Sequence, residues 1–243
     1  MRDINRAFNI LLADKNDLIQ EVASKGISLV YELADADLKK ELSDSLVNLL
    51  NEGQKIMPSS VTADTTLFEP SQLGSMPDGT NLTTYKSILS LASDMNQPDI
   101  IYRFMNLASH NAIWQSKVGA SLGISSILKI SDADREVYIS KSAARLYRSL
   151  YDPNTRVAES MRRIWKTLVT DERGTMIKYF EPIMKEVLKG FFEKEWRIRE
   201  ASCLALAELV KYNEAIPFFA QAWEYCFGGL DDIKVFNSYL CVD

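Results

Sequence analysis

Shifted by 41 residues, the second half of this sequence lies on itself. Asn111, Asp152 and Glu193 fall in register, as do Gln115, Arg156 and Arg197, then Gly119, Ser160 and Ala201, and Ile124, Trp165 and Leu206. Polar positions meet polar ones and apolar positions meet apolar ones. The stretch upstream obeys the same shift, with Tyr138 on Tyr179, Ile139 on Phe180 and Leu146 on Val187. A period of this size is a supersecondary unit repeated in line, not a domain. The apolar spacing inside each unit is helical, so each unit reads as a helix, a turn and a second helix. Ile124, Ile127, Ile164, Leu168, Leu206 and Leu209 form an apolar stripe that one helix pair cannot bury by itself. Stacking the pairs buries it. Small residues at Gly119, Gly123, Ser160, Ala201 and Ala205 let neighbouring helices come close.

The expected fold is therefore all-α: an α-solenoid, an armadillo-like superhelix of antiparallel HEAT-type helix pairs. Helical spacing covers about 17–50, 84–151 and 153–227, with Pro98, Pro182 and Pro217 at expected helix starts and Asp152-Pro153 as an N-cap and first helical position. Asp17 to Leu50 reads as one helix pair. Residues 1–50 are expected to be HEAT-like helices, 84–234 consecutive repeats of about 41 residues, and 235–243 a tail that leaves the pattern. Between them, 51–83 holds Pro58, Pro70, Pro77 and the alternating run Val61 to Phe68. This marks an insert, either a loop, a hairpin arm or a disordered segment.

Composition narrows the chemistry. The 243 residues carry a formal charge of −5, which disfavours binding nucleic acid with the whole chain. A single histidine, His110, removes every mechanism that needs two imidazoles. It is expected in a loop or at a helix cap. Cys203, Cys226 and Cys241 form no C-x-x-C pair, so neither a disulfide framework nor a structural zinc site is indicated. Asp35/Asp37, Asp132/Asp134 and Asp231/Asp232 sit where helices should begin and read as caps rather than cation ligands. No metal and no cofactor is expected. Trp114, Trp165, Trp196 and Trp223 read as packing at the seams between repeats. Charged residues inside the first few positions speak against an export signal, and no apolar run approaches the ~20 residues of a membrane helix. The expectation is a cytoplasmic and nuclear location without an integral membrane segment.

Two features compete as sites. Gly119-Ala120-Ser121-Leu122-Gly123 matches G-x-S-x-G, the nucleophile elbow of serine hydrolases, which needs a strand before it, a helix after it and a histidine base later in the chain. Its place in the repeat register predicts a helix interior instead. Basic residues concentrate in Arg145, Arg148, Arg156, Arg162, Arg163 and Lys166, a candidate ridge for docking an acidic protein surface. A solvated helix face would look the same.

Specific strings also resemble a known family. They are Leu18 to Glu32, Thr84 to Asp94 continuing into Gln97 to Met105, Trp114 to Ala120, Tyr147 to Asn154, Ile164-Trp165 with Leu168 to Asp171, and Trp196 to Leu206. In order, and with the insert in place, they are similar to a stretch of the large HEAT-repeat proteasome-associated adapter and scaffold family, whose members are several times longer. The resemblance implies a non-enzymatic scaffold that tethers the proteasome core to its regulatory particle or links it to other proteins. Other HEAT-repeat roles, a karyopherin-like array or a phosphatase scaffold, share the architecture.

Overall fold

The computed structural model describes residues 2–70, 72–76, 79–129 and 134–229. Among these, ten α-helices follow one another: α1 (Arg2–Leu12), α2 (Asp17–Leu33), α3 (Ala36–Glu52), α4 (Tyr85–Asp94), α5 (Asp99–Leu128), α6 (Arg135–Ser149), α7 (Thr155–Leu168), α8 (Glu172–Gly190), α9 (Trp196–Leu209) and α10 (Phe219–Gly229). A 3-10 helix, Asn213–Phe218, leads into α10. The chain is an all-α stack of helix pairs. The repeat is visible in the boundaries: α7 and α9 begin and end 41 residues apart, and so do the ends of α6 and α8. The 235–243 tail, Cys241, Asp132, Asp231 and Asp232 lie outside the described residues.

Two rows of helices share one core. In the first row α3 packs on α6, α6 on α8, and α8 on the 3-10 helix. In the second, α2 packs on α5 and α5 on α7, while α9 joins through α8 and α6. Apolar stripes from both rows merge into one continuous cluster running from Leu12 and Ile27 through Leu46, Ile124, Tyr138, Met161 and Ile183 to Leu209 and Ala222. Close approach needs small residues at defined points. A Cβ on Gly119 would stand 1.8 Å from the Leu12 carbonyl oxygen, so α5 touches the end of α1 backbone to backbone there. One turn on, a Cβ on Gly123 would meet only the end of the Leu46 side chain, at 3.0 Å.

Pairing at the N-terminal end differs from the expected Asp17–Leu50 unit. Helix α2 packs mainly on α5 and α1 and only marginally on α3. It therefore closes a first pair opened by α1, a helix that the apolar spacing had not marked. Helix α3 opens a second pair that α5 closes, so the insert interrupts a pair instead of separating two. Local chemistry agrees. The Asp14 carboxylate accepts from the Asn16 amide, and Asn16 caps α2 by accepting from Leu18 N–H. Asp152, Asn154 and Arg156 repeat those bonds at α7. Asp152-Pro153 is thus not the cap and first turn of α7. Asn154 is the N-cap, a role asparagine fills well, and Asp152 fixes the asparagine. Asp35 caps α3 and Asp171 caps α8.

Two of the three prolines fall elsewhere than expected. Pro98 is the N-cap of α5, but Pro182 lies inside α8, and Pro217 lies within the 3-10 helix before α10. Pro182 is exposed, and so is Lys178, the residue one turn back whose carbonyl loses its N–H partner. The insert has a small core of its own. Leu67 and Phe68 pack with Ile88 of α4 and Ala108 of α5. Leu67 and Phe68 N–H both donate to the Thr83 carbonyl, and isolated antiparallel bridges join Thr66 to Thr84 and Ser75 to Asn81. Lys15 ties the insert to the α1–α2 turn by donating to the Thr66 carbonyl at 2.9 Å.

Apolar side chains are exposed at both ends of the stack. Leu18, Val22, Leu29 and Leu33 line one face of α2, and Ile216, Phe219, Trp223 and Phe227 cluster around α10. No described helix is long and apolar enough to cross a membrane.

Candidate functional site

A polar concavity lies where the C-terminal ends of α3, α6 and α8 meet the N-terminal ends of α7 and α9, across the middle of α5. It is a pocket of about 240 Å³. Its position follows from the repeat, because successive units bring equivalent helix ends to the same edge of the stack. Glu52 ends α3, Ser149 ends α6, Lys189 is in the last turn of α8, Asn154 caps α7 and Arg197 is in the first turn of α9. Lys117 and Trp114 enter from the middle of α5.

An ion ladder crosses the floor. Arg145 of α6 pairs with Glu52 of α3 through Nη1 and approaches Glu186 of α8 at 3.6 Å through Nε. Arg148, one turn on, donates to the same Glu186 carboxylate at 2.6 Å. Arg145 and Glu186 occupy equivalent places 41 residues apart, so the ladder ties three successive units by their helix ends. The hydrogen bond from Arg145 holds the Glu52 carboxyl below its usual range, and the same bond raises the Arg145 guanidinium. Burial pushes the Asp152 carboxyl up, against the Asn154 amide and the nearby Lys117, Arg197 and Arg148.

Lys117 is the exception. Among the described residues its ammonium makes no hydrogen bond and no ion pair within 4 Å. Burial brings it down to about 8, with Arg148 and Arg145 adding to the effect and Asp152 and Glu52 opposing it. Two sequence-identified features gather here with it. His110, placed by expectation in a loop or cap, is inside α5, its Nδ1 3.8 Å from Glu195. Arg145 and Arg148 belong to the ladder. The remaining basic candidates lie apart: Arg156 covers the Trp114 ring at 5.1 Å and reaches Asp17 at 3.4 Å, whereas Arg162, Arg163 and Lys166 are exposed along α7. The six residues thus form an inward, paired group and an outward, solvated one.

Ser121 lies in the middle of α5 with a helix before it and after it, where the hydrolase motif requires a preceding strand. Its hydroxyl is buried, donates to the Val118 carbonyl at 2.7 Å and sits 2.9 Å from the Ser160 hydroxyl of α7. His110 is eleven residues back on the same helix, about 16 Å along its axis. The two are too far apart to act together. The tryptophans divide by use. Trp165 is buried edge-on to Tyr147 with ring centres 5.6 Å apart, Trp114 and Trp196 lie under arginines, and Trp223 stands exposed beside Phe227.

Sequence comparison gives relatives of one kind. The chain is 45% identical over 204 residues to the proteasome-associated protein ECM29 homolog of Drosophila melanogaster, which covers 84% of this chain and 11% of that protein. It is 39% identical over 237 residues to the proteasome adapter and scaffold protein ECM29 of Homo sapiens, covering 96% and 13%, and 36% identical over 248 residues to the proteasome component ECM29 of Saccharomyces cerevisiae, covering 96% and 13%. The chain spans about one eighth of the length of these relatives and corresponds to a fragment of them. No family model and no solved structure matches it.

Proposed function

We propose that this chain, homologous over most of its length to part of the ECM29 proteasome adapters and scaffolds, is a non-catalytic docking and spacing segment of a proteasome-associated scaffold in the cytosol and nucleus. The observation that carries this reading is the unbroken core through successive helix pairs, in a sequence whose relatives bear those names. Such a stack transmits position: each pair fixes the next, and the surfaces along its edges are presented at set distances. The exposed apolar faces at α2 and α10 are suited to further helix pairs in a longer array. Its mechanism is geometric and needs no bond chemistry.

Proteasome core and regulatory-particle subunits are the expected partners. The outward group Arg162, Arg163 and Lys166 offers them a basic surface, while Arg145 and Arg148 hold the stack together. Affinity purification of the tagged chain from cell extract at low salt tests this. Proteasome subunits should be recovered, and reversing Arg162, Arg163 and Lys166 to glutamate should lower the yield while the circular dichroism spectrum stays unchanged. Recovery of transport cargo or a phosphatase in place of proteasome subunits would overturn it.

A further inference from the structure

The central pocket holds more cations than its own acids neutralise. Arg145 and Arg148 are satisfied by Glu52 and Glu186. That leaves four cations, Lys55, Lys117, Lys189 and Arg197, against three acids, Asp152, Glu193 and Glu195. Helix ends decide little, since three C-terminal and two N-terminal ends border the same space and their fields oppose. The imbalance therefore resides in side chains. Lys117 sharpens it: a half-buried ammonium that makes no hydrogen bond or ion pair among the described residues is costly unless something supplies an anion.

We propose that this pocket binds a peptide carboxylate of a partner protein, with Lys117 as its central ligand and Lys55, Lys189 and Arg197 around it. The volume of about 240 Å³ lies below the ~300–1,000 Å³ of drug-sized ligand sites and suits one or two side chains. Ile113, Trp114, Val157 and Ile198 line the same space and accept the aliphatic part of an acidic side chain or of a terminal residue. A phosphate group suits it less. Asp152, Glu186, Glu193 and Glu195 stand in the wall, and a dianion would meet their repulsion where a single carboxylate meets a modest positive excess. The carboxylate has two sources, an Asp or Glu side chain and a chain terminus, and both present the same two oxygens to an ammonium. The inference rests on the pocket alone. It survives if proteasome subunits are not recovered, and its failure leaves the scaffold reading intact.

Fluorescence anisotropy with the full chain and tetramethylrhodamine-labelled peptides tests it. The probes are a Gly-Gly-Glu-Glu-Gly-Gly peptide amidated at its C-terminus, the same peptide with Gln for Glu, and a Gly-Gly-Gly-Gly-Leu peptide with a free C-terminus. At least one carboxylate probe should bind saturably, about tenfold or more tighter than the Gln control, and which one binds identifies the source. Lys117→Met should weaken that binding about tenfold or more, and Lys117→Arg should restore part of it. Equal binding of the Gln control, unchanged binding by a folded Lys117→Met, or displacement by inorganic phosphate at lower concentration than by acetate would each overturn the assignment.

Discussion

Replacing Lys117 with methionine is expected to make the folded chain more stable at neutral pH. The ammonium falls from an ordinary 10.5 to about 8, chiefly because burial disfavours the charged form. At pH 7 it is charged both folded and unfolded, and the gap between those two values corresponds to about 3 kcal/mol of extra cost in the folded state. Lys117 keeps part of its surface accessible, so solvent screening trims this to ~1–3 kcal/mol. Methionine retains the unbranched stem and its packing, and Lys117 loses no hydrogen bond because it makes none among the described residues. Urea unfolding of both chains at pH 7 measures the difference. As pH rises through 8 the folded state releases its proton while the unfolded chain keeps its own, so the wild type gains stability and the advantage of methionine shrinks. Repeating the titration near pH ~9.5 checks that narrowing. A destabilised Lys117→Met at pH 7, or a gap independent of pH, would show that the charge is not strained in the pocket.

Two further variants test the stack itself. Glu186→Gln leaves Arg148, only 12% exposed at its side chain, without its carboxylate and should cost about 2 kcal/mol or more in urea unfolding; a loss below ~0.5 kcal/mol would place the ladder among screened surface pairs. Gly119→Ala puts a Cβ 1.8 Å from a backbone oxygen of α1 and should cost at least about 2 kcal/mol, whereas Gly123→Ala meets the flexible end of Leu46 at 3.0 Å and should stay within ~1 kcal/mol of wild type. Equal effects would mean that α5 does not press on the α1 backbone.

The repeat was legible because its signal is local and recurs. Apolar residues at helical spacing, returning after 41 positions, define α5 to α9 wherever the partners are. Pairing at the N-terminal end was harder to read, since the insert moves the second member of a pair about 60 residues downstream and α2 and α3 are neighbours in sequence without being partners. The Asp-x-Asn capping string at 14–16 and 152–154 carried the correct phase, marking α2 as the counterpart of α7. The basic residues showed a similar division. Count and proximity in sequence grouped Arg145 with Arg162, but α6 turns Arg145 inward to acids on α3 and α8. Only the 41-residue equivalence of Arg145 and Glu186 hinted at that pairing.

Lys117 left no such trace, and the reason bears on what it does. A lone lysine between helical apolar positions normally reads as solvent-exposed, and in an isolated α5 it would be. It shares the pocket with Glu52, Arg148, Asp152 and Arg197, contributed by three separate segments that meet only when the units stack. The pocket is therefore a property of the array and not of any one repeat, and it forms at the edge where the ladder fixes the spacing of α3, α6 and α8. A position needed only for packing would be better filled by an apolar side chain of similar length. An ammonium there without an ion pair weakens the stack and gives it a cation already partly desolvated, so that a carboxylate entering the pocket regains part of what folding cost. The same substitution should then raise stability and remove binding, an opposition that a merely structural lysine would not produce.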